Sequence, residues 1–438
     1  MKHFHHRQLG TTSLSALVIA NMIGAGVFTS SGFALADLGS PSLVMLAWFL
    51  GGVMALLGAL SYGALSARLS ESGGEYLFLA RTLHPFLGFL AGWISLWAGF
   101  TGAIAFAAEA TQIYVAPWVP EFFPLDLVGT AVLIVIGLVH TAGVTPAKSV
   151  QNLAVLAKLV LLAALVWIGW TNLPELEQPN VLAIESSTLP AAFIVTLMWV
   201  SLSFSGWNAA VYIAGEARDP KRTVPRALLI GTLIVTALYF ALNWIFVNAA
   251  PIAQLAGQKD IAAVAARHLG GENLEQLVRI VLVLALTTSI SSMVMIGPRV
   301  VAKMADEGVF PRVFSFTGKS PITAIWLQVL LAISVLWISD LRAQLTNLGW
   351  VLSLSTALAV IGLFRLRARE GRASVPIPGY PLVPGLFLVL VLGMTGTMVF
   401  VNGSQLIPAA VVLVSGAFVY LLVRKSAPNT PPADSGAE

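Results

Sequence analysis

Runs of apolar residues about 20 long, enough to cross a bilayer as a helix, recur along the whole chain. They fall at 14–36, 42–66, 86–115, 127–145, 150–170, 190–214, 227–249, 276–303, 321–339, 343–363, 382–401 and 405–424. Polar and charged residues gather in the short connections between them. The pattern predicts an all-α membrane protein of twelve transmembrane helices. The first run is full length and leads directly into the second, so it reads as an uncleaved span and not as a signal peptide.

Two of these runs are interrupted by small residues. Ile23-Gly24-Ala25-Gly26-Val27-Phe28 breaks the first, and Ser203-Phe204-Ser205-Gly206 breaks the sixth. An unpaired peptide group in hydrocarbon costs several kcal/mol, so a break survives only where protein, a cavity or a ligand takes over its donors and acceptors. Close helix packing is the other use of such glycines. A Gly-x-Gly flanked by β-branched residues, answered by a second break, favours real unwinding. A five-span unit followed by its copy has the opposite orientation, because five is odd, so the spacing predicts a 5+5 inverted repeat with broken helices one and six. The expected boundaries are a cytoplasmic N-terminal tail at 1–10, a first repeat of spans one to five at 11–172 and a second repeat of spans six to ten at 188–365. Two additional helices follow at 380–425, and a Pro-rich, polar cytoplasmic tail at 426–438 is expected to be disordered.

Composition agrees: 57% of residues are hydrophobic and 10% charged, against about a quarter charged in soluble proteins. With the N-terminus cytoplasmic, about 19 of the 24 basic residues stand in or beside cytoplasmic segments. The net charge of +4 therefore reports topology and contact with the lipid bilayer, and no nucleic-acid partner is expected. The absence of cysteine excludes disulfides, thiolate metal sites and a cysteine nucleophile. His3, His5 and His6 read as a solvated tail, and His84, His140 and His268 have no neighbouring ligand motif. Neither an enzyme nor a bound cofactor or metal is expected. No span carries the continuous polar stripe of a channel.

Four landmarks in order carry a resemblance: the span-one break; Glu71-Ser72-Gly73-Gly74-Glu75-Tyr76 before span three; Phe204-Ser205-Gly206-Trp207-Asn208 through Glu216 and Pro220-Lys221-Arg222-Thr223-Val224-Pro225-Arg226; and Gly297-Pro298-Arg299 with Asp306-Glu307-Gly308. Together they resemble the amino acid–polyamine–organocation transporters, and within them the L-type amino acid transporter branch. The resemblance implies a substrate site at the two breaks. The N–H groups of Ala25, Gly26 and Val27, at the positive end of a half-helix, suit a carboxylate. Carbonyls near Met22, Ile23 and Gly24, with those of Leu202, Ser203 and Ser205, suit an ammonium, so the pair describes a receptor for an amino acid zwitterion. Where relatives often have a serine this chain has Ala25, and where they often have an aromatic gate it has Leu202. Trp199 or Phe204 is left as a lid or as a packing aromatic.

Some cation-carrying relatives have an acid where this chain has Asn208, and 199–213 contains no acid. A neutral amino acid is favoured over a cationic amino acid or polyamine. Glu109, on the order of 13 Å toward the outside by helical rise, reads as an outer vestibule residue or as a buried carboxylate bonded to a neighbouring helix. The resemblance places Lys158, in its Gln151-Asn152 and Ala157-Lys158-Leu159 surroundings, where sodium-driven transporters of this architecture hold the ion. Thr287, Thr288, Ser291 and Ser292 are its candidate companions, with Thr288 and Ser291 foremost. The alternative is a lysine snorkelling to the inner surface. The expected function is sodium-independent secondary active transport of amino acids by alternating access, with proton coupling or exchange. A non-transporting amino acid receptor is the alternative of another class. L-type relatives in animals hold a partner subunit through a cysteine, so no disulfide-linked partner is expected here. The expected location is the plasma membrane, as a multi-pass protein of a bacterial inner membrane.

Overall fold

The computed structural model describes residues 9–142, 148–175, 180–185, 187–316, 320–338, 341–373, 375–401 and 406–426. Most of the two expected tails, with His3, His5 and His6, lies outside the described residues. Within them the chain is helical, and the one β-type pairing is an isolated bridge between Leu9 and Ala217. Six helical stretches are long and apolar enough to cross a membrane: Thr11–Leu38, Pro41–Arg68, Pro85–Trp118, Pro220–Asn248, Ile261–Asp306 and Val351–Glu370. Six shorter apolar helices accompany them: Leu125–Thr141, Val155–Thr171, Leu189–Ser203, Ile322–Ile338, Leu382–Thr397 and Ala409–Val423. This is an all-α, multi-pass membrane protein.

The elements that build the centre are α1 (Thr11–Met22), α2 (Gly26–Leu38), α3 (Pro41–Arg68), α4 (Gly74–Thr82), α5 (Pro85–Ile94) and α6 (Ala103–Val115). They are followed by α7 (Leu125–Thr141), α8 (Lys148–Thr171), α9 (Leu189–Ser203), α10 (Pro220–Asn248), the short α11 (Ile252–Leu255) and α12 (Ile261–Asp306). The last four are α13 (Ile322–Ile338), α14 (Leu341–Glu370), α15 (Leu382–Val401) and α16 (Leu406–Ser426). Local signals set several ends. Pro41 opens α3 behind the Ser40 hydroxyl, which accepts from the Leu43 N–H, and Pro85 opens α5 behind His84. Proline at a first helical position gives up an N–H that has no intrahelical partner there.

Two expected spans take a different form, and the sixth shows its expected break. The run at 190–214 is not one helix: α9 ends at Ser203, and after a turn the chain continues as a 3-10 helix, Ala209–Glu216. The run at 86–115 carries a π-helical segment, Ser95–Gly102, between α5 and α6. The run at 276–303 is the C-terminal part of α12, which extends back through a kink at Gly270 and Gly271. Periodicity alone does not mark the π segment or the extension of α12.

The two faces of α8 show how helices divide between protein and lipid. Val155, Lys158, Leu162 and Leu165 are buried, whereas Leu156, Val160, Trp167 and Trp170 are exposed, as expected of apolar side chains facing acyl chains. Polar pins cross the centre. The Trp48 indole N–H on α3 donates to the Ser31 hydroxyl on α2 at 2.8 Å, and Ser31 donates to the Asn243 Oδ1 on α10 at 2.6 Å.

Beside the α12 kink, the buried Arg279 donates to Asp260 at 2.6 Å and to Glu275 at 2.9 Å. Removing one partner of such a cluster leaves uncompensated buried charge. Arg279→Met is expected to lower stability by about 3 kcal/mol, read as a lower unfolding midpoint of the detergent-solubilised protein. Adding Asp260→Asn and Glu275→Gln to it should restore most of the loss.

Candidate functional site

The helix breaks lie against each other. The chain leaves α1 at Ile23, and Ala25, the residue before α2, supplies no side-chain cap. The N–H groups of Ala25, Gly26 and Val27 make no hydrogen bond among the described residues. Across from them, α9 stops in a turn closed by the Ser205 N–H on the Leu202 carbonyl at 2.8 Å. Gly206 then takes φ +98°, a left-handed value that glycine adopts without penalty. A Cβ at Gly206 would also stand 2.8 Å from the Asn21 carbonyl carbon, so the turn rests on the end of α1. A Cβ at Gly26 would stand 2.7 Å from the Ser203 Cβ, and the Ser30 and Ser203 hydroxyls meet at 2.9 Å. Small residues on both sides allow this approach.

A cavity of about 120 Å³ opens between the breaks. Met22, Gly24, Ala25 and Gly26 line it from the first break, and Leu202, Ser203, Phe204, Ser205 and Asn208 from the second. Ile23 and Val27 are fully buried and stand off its wall. Phe204 is held by Trp48 and Tyr239, with ring centroids 5.8 and 5.0 Å away. Trp199 packs edge-on against Phe33 and does not reach the cavity. Glu109 is half-buried on α6, off the cavity wall.

The acceptor side of the first break departs from expectation. The Met22 carbonyl accepts from the Tyr239 hydroxyl and from the Gly24 N–H, and the Ile23 carbonyl accepts from the Lys158 Nζ at 2.8 Å. Protein groups therefore occupy the carbonyls that were expected to meet a ligand ammonium. At the second break the Ser203 and Ser205 carbonyls accept no hydrogen bond among the described residues. Lys158 is 5% exposed, and its ammonium ends on span one instead of snorkelling.

Its expected companions make hydrogen bonds elsewhere. The Thr287 and Thr288 hydroxyls donate within α12, to Val283 and Ala285. Ser291 pairs with the His140 Nε2 at 2.9 Å, and Ser292 accepts from the Asn21 amide at 3.0 Å. Among the described residues the Lys158 Nζ bonds to the Ile23 carbonyl, and a hydroxyl that donates along its own helix keeps lone pairs for an ammonium. Ser289, absent from the sequence reading, lines the cavity beside Gly24, and its buried hydroxyl has no partner among the described residues.

The expectation of a cavity without an acid is overturned by Glu75. Gly73 and Gly74, at φ +141° and +58°, reverse the chain so that α4 folds back onto the 3-10 helix after the second break. Glu75 is 3% exposed, lines the cavity, and accepts from the Asn208 Nδ2 and the Tyr212 hydroxyl. Burial pushes its carboxyl above the usual range, and the hydrogen bonds from Tyr212 and Asn208 pull it back. The π-helical segment was missed as well, and it brings Ser95, Gly99 and Phe100 to the wall. The paired glycines before Glu75 were the available signal; the π segment has none in its composition.

The chain matches the Amino acid permease family over residues 9–423. It is similar to the Serine/threonine exchanger SteT of Bacillus subtilis (strain 168), with 25% identity over 413 residues, 92% of this chain and 91% of the relative. It is also similar to the human Large neutral amino acids transporter small subunit 2, at 26% identity across 87% of this chain and 74% of the relative. A third relative is the human Asc-type amino acid transporter 1, at 24% identity across 87% and 76%.

Two substitutions test the geometry of the breaks. Gly26→Val places its side chain on Ser203 and should abolish ligand-induced thermal stabilisation by amino acids while the protein is still made, at an overpacking cost of about 1–3 kcal/mol. Leu202→Trp should narrow the cavity, so that competition by large amino acids weakens more than competition by small ones. An unchanged profile would place Leu202 away from the ligand.

Proposed function

The chain belongs to the Amino acid permease family, and from that premise we propose a sodium-independent secondary active transporter of neutral L-amino acids that works by alternating access. It is a multi-pass membrane transporter and not an enzyme. The observation that carries the reading is the pairing of unsatisfied backbone groups around one cavity. Ala25 and Gly26 line it from one break and Ser203 and Ser205 from the other, and the N–H groups of the first pair and the carbonyls of the second take no backbone partner among the described residues. A carboxylate and an ammonium on one carbon fit such a pair.

Lys158 supports the absence of a sodium requirement. Its ammonium on the Ile23 carbonyl supplies a tethered positive charge where a mobile ion would otherwise pair with the broken helix. Breaks at corresponding points support the 5+5 inverted repeat, 11–172 and 188–365, with α15 and α16 as the two further spans of twelve. The basic residues favour cytoplasmic N- and C-termini, in a bacterial inner membrane. The names of the relatives, an exchanger of serine and threonine and a transporter of large neutral amino acids, favour neutral substrates and exchange. Proton coupling through Lys158 is the other mode.

A cationic substrate is the second reading, and Glu75 on the cavity wall favours it. Asn208 and Tyr212 already occupy both of its oxygens, which argues for the neutral substrate. Counterflow of labelled amino acids in sodium-free proteoliposomes tests the assignment: accumulation is expected for neutral amino acids, and binding without counterflow would mean a receptor. Lys158→Met leaves the Ile23 carbonyl unpaired and should lower turnover about tenfold with little loss of protein yield. If coupling is by protons, the variant also loses the pH dependence of the parent; if the parent exchanges at one rate across pH, the charge is structural. A variant that transports like the parent at every pH would remove Lys158 from the mechanism.

A further inference from the structure

Some polar side chains on the cavity wall bond within their own helix. Ser353 donates to the Gly349 carbonyl and Thr356 to the Ser353 carbonyl, both within α14. Asn208 is different. Its amide nitrogen donates to Glu75 Oε1 and stands 3.5 Å from the Tyr212 hydroxyl. In this structure the amide presents its NH2 to Glu75, which accepts from Asn208 on one oxygen and from the Tyr212 hydroxyl on the other. The carbonyl oxygen Oδ1 then points the other way. It takes no hydrogen bond among the described residues, yet it is not among the buried polar atoms left without a partner, so it has open space before it. Asn208 lines the cavity, and that space is the cavity.

We propose that Glu75 is a positioning residue which, by holding the Asn208 amide in one orientation, makes the cavity select amino acids whose side chain donates a hydrogen bond, hydroxyl-bearing ones foremost. The assignment rests on the zwitterion reading above and adds the side-chain class to it. An acceptor fixed on an otherwise largely apolar wall rewards a donor and is left unpaired by an isostere without one. The side chain that fits is short, because Phe100, Met54 and Met293 close the rest of the wall.

The test compares three competitors for counterflow of a labelled neutral amino acid. L-Serine can donate, L-2-aminobutyrate has a methyl in place of the hydroxyl, and O-methyl-L-serine has an oxygen that can only accept. In the parent, serine should compete about tenfold better than either analogue, the worth of one hydrogen bond. Glu75→Gln can accept or donate, which frees Asn208 to turn, so the gap between serine and O-methylserine should close while 2-aminobutyrate competes as before. Asn208→Ala should bring serine down to the level of 2-aminobutyrate, and it carries the test if Glu75→Gln does not fold. A change confined to total rate, with the parent's ratios kept in Glu75→Gln, would overturn the positioning role. A parent that does not distinguish serine from 2-aminobutyrate would overturn the proposal and leave the zwitterion reading standing. Failure of all three to compete against a labelled amino acid that does counterflow would overturn the proposal too, whereas absence of counterflow by every neutral amino acid would remove that reading itself.

Discussion

Backbone groups freed inside a membrane must find partners, and the centre of this protein is organised by that demand. Two interrupted helices release donors and acceptors where hydrocarbon offers none. Part of the demand is met from within: Tyr239 reaches the Met22 carbonyl, Lys158 reaches the Ile23 carbonyl, and the Leu202 carbonyl closes its own turn. The remainder, N–H groups on one side and the Ser203 and Ser205 carbonyls on the other, takes no backbone partner among the described residues, and the proposed function assigns it to the substrate. The division explains why the first break is asymmetric. Its donor end stays open while its acceptor end is filled by side chains from α8 and α10.

The same demand accounts for the small residues. Gly26 and Gly206 bring the two breaks within contact of Ser203 and Asn21, and larger side chains would hold the half-helices apart. A short separation also keeps the unpaired groups of both breaks within reach of one small molecule. Lys158 is in a position to link α8 to the break, so a change in its charge would alter how firmly the two helices are joined.

Much of this was legible in the sequence, for identifiable reasons. Gly24 and Gly26, and Ser203 to Gly206, interrupt apolar runs, so their unwinding could be read from composition. A lysine at 158 in an apolar run announced itself by its cost. Contacts between distant elements were not legible. Nothing in the local sequence says that Tyr239 and Lys158 would take the carbonyls of Met22 and Ile23, or that Ser291 would pair with His140. Glu75 was read as part of a connection, although Gly73 and Gly74 signal the reversal that returns it to the second break. The π-helical turn at Ser95–Gly102 keeps the hydrophobicity of its neighbours and differs only in its hydrogen-bond register, which no residue count reveals.

The central claim is that both charges of an α-amino acid are bound by the broken helices, and it is tested most directly by calorimetric titration of the purified protein. The ligands would be one neutral amino acid that binds, its decarboxylated amine, and its N-acetyl derivative. The account predicts measurable heat and a single site for the parent amino acid, and no binding at comparable concentrations for the two analogues, each of which lacks one charge. Equal affinity for the decarboxylated amine would contradict it, because the N–H groups of Ala25 and Gly26 would then have no part in holding the substrate.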